Sequence, residues 1–405
     1  MDRITERFLR YVRIETTSSE DMDSCPSTPG QFDLARLLVS ELRELGIENA
    51  FMADNCFVYG HIVSNLDNEA AKVGFLAHMD TSNAASGKNV SPRIIENYDG
   101  KDIVLNDTLT TSLKEFPQLK DYRGKSLIVT DGNTLLGGDD KAGIAIIMEY
   151  AAWLLSHPEV RHGDIYICFT PDEEIGAGID HIDLKHFPVD YAYTMDGGSP
   201  WEMTYECCNA ATAVCQFTGV SIHPGSAKNR MINACELAME FHALLPVNEK
   251  PQFTEGREGF NHLEYVEGTC AAAQSVYIIR NHDSDILERQ KGDFRRAEKF
   301  LNEKYGRKVA EVDISDTYRN MREGFTGREY IINNALNALR KNGLEPTITP
   351  MRGGTDGAKL TVMGVPTPNL GTGDMFCHGN HEIVCIDEMK MMVEVLKTLT
   401  DIIYG

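Results

Sequence analysis

The stretch Leu135-Leu136-Gly137-Gly138-Asp139-Asp140-Lys141-Ala142-Gly143 limits what this chain can fold into more than any other. It follows a β-like run at 126–130 and opens an apolar run of helical texture at 142–155. The pattern is strand, glycine turn, helix start. Two adjacent carboxylates in such a turn are unfavourable unless a helix N-terminus or a cation receives them. Aspartate is a common cap at a helix start, so the motif by itself leaves both readings open.

The rest of the chain supplies the context. Ile4, Phe8, Leu9 and Val12 share a helical face, and residues 32–45 form a second amphipathic run that stops at Gly46, a C-cap residue type. Residues 57–63 are rich in aromatic and β-branched types. Residues 73–77 are a short unbroken apolar run, the texture of a strand covered on both faces, and it ends at His78-Met79-Asp80. The runs 165–169 and 191–195 repeat this texture and lead into Asp172-Glu173-Glu174 and Asp196. Residues 82–125 are polar and irregular, with room for short strands such as 103–105. Helix follows strand repeatedly, which predicts an α/β fold around a largely parallel central sheet.

From about Cys207 the texture changes. Runs 213–220, 275–279 and 309–314 are strand-like, whereas 229–245 and 295–305 are helical. This predicts an α+β lid domain, residues 207–317, inserted into a catalytic domain made of 1–206 and 318–405. Residues 328–339 and 388–403 read as helices of that domain. Residues 343–348 and 365–370 read as strands that rejoin its sheet.

The formal net charge of −22 argues against nucleic acid and anionic membranes as partners. It also means that an anionic substrate group must be met by a local cation. The ten cysteines are scattered, with only Cys207-Cys208 adjacent, which suggests free thiols in a reducing compartment. The first residues carry no signal-peptide core, and no apolar run approaches transmembrane length. A cytoplasmic protein is expected.

Ligand-type side chains stand at strand ends or adjoining loops in five places: His78-x-Asp80, Asp139-Asp140, Asp172-Glu173-Glu174, Asp196 and His378-x-x-His381. Any one of them has an ordinary explanation as a structural residue or a solvated face. Together they fall where open α/β sheets build sites, at the carboxyl ends of strands. Carboxylates converging there repel one another without a counter-charge. A pair of divalent cations relieves this, and imidazole with carboxylate suits zinc, with cobalt or manganese as alternatives. Two metals roughly 3.5–4 Å apart make a hydrolytic site.

His78-Met79-Asp80, Gly138-Asp139-Asp140-Lys141, Glu173-Glu174, Asp196-Gly197 and His378 resemble the motifs of the zinc metallopeptidase family that includes aminoacylase and carboxypeptidase G. Segments 94–106, 130–145, 169–178, 219–234, 254–260, 277–281 and 352–358 resemble its tripeptide-aminopeptidase branch and span nearly the whole chain. The resemblance implies two zinc ions per subunit. His78, Asp140 and Asp196 would hold one, and Asp140, Glu174 and His378 the other, with Asp140 bridging. Asp80 would orient His78 through its free ring N–H. Glu173 would be the general base. His378, four residues before Glu382, is selected over His381, which takes a structural part. A cis peptide is implied after the bridging aspartate, at Asp140–Lys141.

In the lid, the resemblance assigns His223 to the substrate carbonyl oxygen, from a neighbouring subunit in many dimeric relatives, so a homodimer is possible. Arg280 is the stronger candidate for a peptide carboxylate, with Arg352 second and Asn229 as a further polar contact. Gly138, Asn281, Gly371, Asp374 and Cys377 depart from the branch pattern. Those beside the ligand loop put substrate preference, more than chemistry, in question. The implied activity is removal of the N-terminal residue of tripeptides. An amidohydrolase acting on N-acyl amino acids or other amides is the alternative. A non-catalytic binding protein would lack Glu173 or Asp140, and both are present.

Overall fold

The computed structural model describes every residue except Asp23. The chain forms two compact units, one of Met1–Tyr205, Glu323–Thr349 and Thr355–Gly405, the other of Glu206–Arg322 and Pro350–Gly354.

The first unit is built on an eight-stranded sheet. Its order is Phe51–Met52, Val58–Ile62, Ile165–Thr170, Val73–His78, Tyr191–Thr194, Asn369–Leu370, Glu202–Thr204 and Thr347–Ile348. The four central strands, from Ile165–Thr170 to Asn369–Leu370, run parallel. Val58–Ile62 joins one side antiparallel. All six residues of Val73–His78 are buried, as its unbroken apolar texture predicts for a strand covered on both faces. Phe75 in that strand packs edge-on against Tyr150, 5.2 Å between ring centres. Tyr150 lies on the helix Gly138–Ser156, which is apolar nearly all round and is buried against both that strand and the C-terminal helix Ile386–Tyr404.

The strand predicted at 126–130 forms, but outside the main sheet. Leu127–Val129 belongs to a smaller antiparallel sheet in the order Asp374–Met375, Ile383–Cys385, Leu127–Val129, Arg93–Ile95. A short apolar run reports burial but not the identity of its neighbours. The polar stretch 82–125 contributes Arg93–Ile95, Ile103–Val104, Thr110–Thr111 and the 3-10 turn Pro117–Tyr122. Among the described residues no helix is long and apolar enough to cross a membrane.

The second unit is an antiparallel sheet in the order Phe260–Gly268, Ala272–Asn281, Asn209–Thr218, Ala310–Tyr318. Helices Ala234–Leu244 and Ser284–Tyr305 pack on it around Phe217, Phe241, Tyr277 and Phe294. The first helix is shorter than the predicted 229–245. Asn233 caps it through the Cys235 N–H, Ile232 instead pairs with Val220, and Asn229 has φ +62°. The second helix is longer than the predicted 295–305. It starts eleven residues earlier, at Ser284, where Asp283 caps it by accepting the N–H groups of Asp285 and Ile286. Its charged texture hid the first turns. The unit also extends beyond 207–317 to take in Pro350–Gly354, because Met351 bridges to Cys207 and accepts the Cys208 N–H.

The first helix, Arg3–Tyr11, offers a test of local folding. Asp2 caps it by accepting the Thr5 N–H at 3.1 Å and pairs with Lys390 at 2.8 Å. Partial burial pushes the Asp2 carboxyl up, but the Lys390 and Thr5 donors outweigh it and hold the group down at about 2. A depressed carboxyl stabilises above its unfolded pKa and loses that contribution as pH falls through the folded value. Asp2→Ala should therefore destabilise by about 1 kcal/mol at neutral pH. The difference should shrink as pH falls from about 4 to about 2. Chemical-denaturation midpoints across this range check it, and a pH-independent difference would contradict the cap assignment.

Candidate metal centre

Three adjacent parallel strands deliver the first group of side chains. His78 is the last residue of Val73–His78, Glu173 and Glu174 follow Ile165–Thr170, and Asp196 follows Tyr191–Thr194. The loop after Ile165–Thr170 is held from both sides. Asp172, at φ +56°, accepts the Ser27 N–H at 2.7 Å and the Gln31 amide at 2.6 Å. Asp80 accepts the N–H groups of Glu173 at 2.9 Å and Glu174 at 3.1 Å. His78 Nδ1 lies 3.1 Å from the Asp80 carbonyl oxygen and 3.4 Å from its carboxylate. Asp80 thus stands behind His78 and also shapes the loop that carries Glu173.

Asp139, not Asp140, occupies the central place. One oxygen of Asp139 is 2.9 Å from His78 Nε2 and the other is 3.2 Å from His378 Nε2. Asp140 turns away: its carboxylate accepts the His78 N–H at 3.1 Å and the Gly143 N–H at 3.2 Å. That corrects the expectation of a bridging Asp140. The physical reason is the helix start. Asp140 takes the capping task, one reading of the acidic pair, and its neighbour is left to face the imidazoles. Gly143 makes this possible, because a Cβ there would lie 2.0 Å from the Met195 carbonyl oxygen and 2.4 Å from Asp140 Oδ1. The cis peptide is likewise one bond earlier than expected, at Asp139–Asp140.

The smaller sheet brings the second histidine. His378 Nε2 is 2.9 Å from a Glu174 oxygen. His381 points elsewhere: its Nδ1 lies 2.9 Å from the Thr111 hydroxyl, and its ring packs on Phe116. Among the described residues, one ligand atom each from His78, Asp139 and Glu174 falls within 4.8 Å of the others, as does one each from His78, Glu173 and Asp196. Asp139, Asp374 and Cys377 form a third such group. The Cys377 thiol donates to Asp374, which also accepts the Thr372 hydroxyl.

Negative charge is in excess. Burial and the neighbouring Asp196 push Glu173 well above the usual carboxylate range. Burial does the same for Asp196 and Asp140. Burial also acts on Asp139, but His378 and His78 hold it below that range. Asp139 and Glu174 in turn raise His378 to about 10. Glu174 Oε1 is buried with no hydrogen-bond partner among the described residues. An orphaned carboxylate oxygen facing imidazole and further carboxylate is a donor set suited to divalent cations.

The remaining candidates belong to the second unit. His223 is exposed and accepts the Gly225 N–H at the short turn Pro224–Ser226. Asn229 is exposed. Arg280, half-buried, donates to Tyr318 and to the Arg352 carbonyl oxygen, and its Nε has no partner among the described residues. Arg352 donates to the Thr254 carbonyl and hydroxyl and to the Glu258 carbonyl, and stacks on Phe260. Its Nε, like that of Arg280, has no partner among the described residues. Asn281, one of the departures, is also accounted for within the unit. Its amide donates to Gln290, which donates to Asn261, in a buried neutral network.

Sequence reasoning missed the structural work of Asp172, Asp374 and Glu382. Asp172 was visible as part of an acidic run, but nothing local shows that its partners lie near residue 30. Zinc content separates the two aspartates of the central motif. Asp139→Ala should lose bound zinc relative to the parent, whereas Asp140→Asn should keep its stoichiometry while lowering stability. Equal loss in both would contradict the geometric distinction.

Residues 122–401 match the model of peptidase family M20/M25/M40. The chain is 46% identical over 402 residues to a peptidase T of a Geobacillus species, covering 98% of both chains, and 47% identical over 406 residues to a peptidase T of Alkaliphilus oremlandii, covering 99% of both. The fold superposes on the crystal structure of an aminopeptidase, PepT, from Bacillus cereus with a TM-score of 0.79, 21% identity and coverage of 99% and 98%. It also superposes on a dinuclear metal-binding peptidase of the M20 family from Bacillus subtilis, with a TM-score of 0.66, 14% identity and coverage of 99% and 98%. Similarity sustained over essentially the full length of these relatives means that the chain belongs to the M20/M25/M40 peptidase family and, within it, to the peptidase T branch.

Proposed function

We propose that this enzyme is a dinuclear metallo-aminopeptidase that removes the N-terminal residue of tripeptides. The observation that carries the reading is the Asp139 carboxylate between His78 and His378, with Glu174 on one side and the Glu173–Asp196 pair on the other. His78, Asp139 and Asp196 would hold one cation, and Asp139, Glu174 and His378 the second. Zinc is the proposed metal, with cobalt or manganese as possible substitutes.

Two divalent cations held by these residues would polarise the scissile carbonyl and lower the pKa of the attacking water. Glu173 takes a proton from that water as the O–C bond forms. It then delivers the proton to the leaving amine as the C–N bond breaks. Its burial and the neighbouring Asp196 raise it above the usual carboxylate range, which makes it a stronger base. Asp80 contacts both the Glu173 N–H and the His78 ring, which ties the base to one ligand. By resemblance, His223 is assigned to donate to the developing oxyanion, and Arg280, with Arg352 second, to receive a peptide carboxylate. Asn229 is a further candidate contact. A cytoplasmic location and a homodimer belong to the same proposal.

The second reading is an amidohydrolase acting on N-acyl amino acids. It is favoured by Asp374 and Cys377, which place a buried acid and a thiol beside Asp139. A panel of free tripeptides, dipeptides and N-acetylated amino acids separates the two. Cleavage of tripeptides with release of the N-terminal residue is expected, and deacylation without tripeptide cleavage would replace the aminopeptidase reading.

Glu173→Ala should leave zinc content unchanged and lower kcat by about 10²–10⁴-fold or more. Turnover close to the parent would remove Glu173 from its role. Stripping with a chelator should abolish tripeptide turnover, and zinc should restore it. Activity that survives chelation with metal content at zero would exclude the dinuclear reading.

A further inference from the structure

Glu382 is 1% exposed, yet its carboxylate is fully engaged by main chain from a distant segment. One oxygen accepts the N–H groups of Leu136 at 2.6 Å and Gly137 at 2.8 Å. The other accepts those of Gly138 at 2.6 Å and Asp139 at 3.1 Å. Four consecutive amides therefore converge on one carboxylate. The left-handed Gly137, φ +82°, turns the backbone so that they can. Successive N–H groups arranged in this way form a concavity that binds anions. Here the anion is supplied by the chain itself, 243 residues beyond the last of the four donors.

The placement of the two ends matters. Asp139, whose N–H is the fourth donor, directs its carboxylate between His78 and His378. Glu382 lies four residues after His378 and directly before the strand Ile383–Cys385, which pairs with Leu127–Val129. A single short segment thus carries one imidazole and grips the turn that carries the central carboxylate.

We propose that Glu382 is a positioning residue for the metal centre: it fixes the Asp139 turn relative to His378, so that both reach the same cation. The proposal rests on the metal-centre reading above but not on its substrate. Neutral glutamine fills the same volume but replaces one acceptor oxygen with an NH2 group, which would face two main-chain N–H donors. The turn would then draw away, and Asp139 would move with it.

The test measures metal binding by the full-length protein. Glu382→Gln should weaken zinc affinity by about 10–100-fold, measured by competition with a chromophoric chelator. It should also shift the visible spectrum of the cobalt(II)-loaded protein, a readout that a general packing role would leave unchanged. Glu382→Ala leaves the amide concavity open, and added formate should recover zinc affinity in part, whereas chloride at equal ionic strength should not. Circular dichroism of the stripped variants identifies any that fail to fold. If glutamine does not fold, Glu382→Asp, which withdraws the carboxylate by one methylene, is read in the same way. A folded variant with the parent's zinc affinity and cobalt spectrum overturns the proposal. A parent that binds metal but leaves tripeptides intact would sink the substrate reading and leave this one standing, whereas a parent that binds neither zinc nor cobalt would sink both.

Discussion

The crowding of carboxylates around two imidazoles, at the ends of three adjacent parallel strands, is the constraint on which the rest of the first unit depends. Asp139, Glu173, Glu174 and Asp196, all partly buried, meet near the buried His78 and the half-exposed His378. In a low-dielectric setting such an arrangement is unfavourable by several kcal/mol unless cations offset it. The sheet pays this electrostatic penalty because its core is secured elsewhere, through strands such as Val73–His78 that are buried along their whole length. The parallel topology matters because it points successive strand ends to the same edge.

A second set of acids holds this first set in place, and each does so by accepting main-chain N–H groups. Asp80 receives Glu173 and Glu174, Asp172 receives Ser27, and Asp140 receives His78 and Gly143. Glu382 receives four amides of the glycine turn. Carboxyl oxygens that accept main-chain N–H groups from other segments tie those segments together, so loops that would otherwise be soft acquire defined shapes. This explains how a site built largely from loops keeps its acids and imidazoles within ångströms of one another.

Much of this was legible in the residues themselves. Short apolar runs ending in His78, Glu173 and Asp196 announced both the sheet and the edge where the chemistry sits, because burial on two faces leaves an unbroken apolar texture. The family resemblance selected His378 over His381, and the structure sends His381 to Thr111. The substrate-facing residues were less legible. Arg352 is a second carboxylate candidate in sequence, and only the structure shows that it also ties down Thr254 and Glu258, residues about a hundred positions away.

What the residues determined on their own was the periodic and chemical content: which runs are buried, which segments are strand or helix, which side chains can ligate, and to which family the pattern belongs. What only the tertiary structure decided was the direction of each side chain. Asp139 and Asp140 are the same residue type in adjacent positions, and local sequence cannot rank them. The choice follows from the helix start that engages Asp140, from the close packing of Gly143 on the Met195 carbonyl, and from a glutamate far along the chain that grips the turn. Contacts of that range depend on how the whole chain closes on itself, and no local window of sequence contains them.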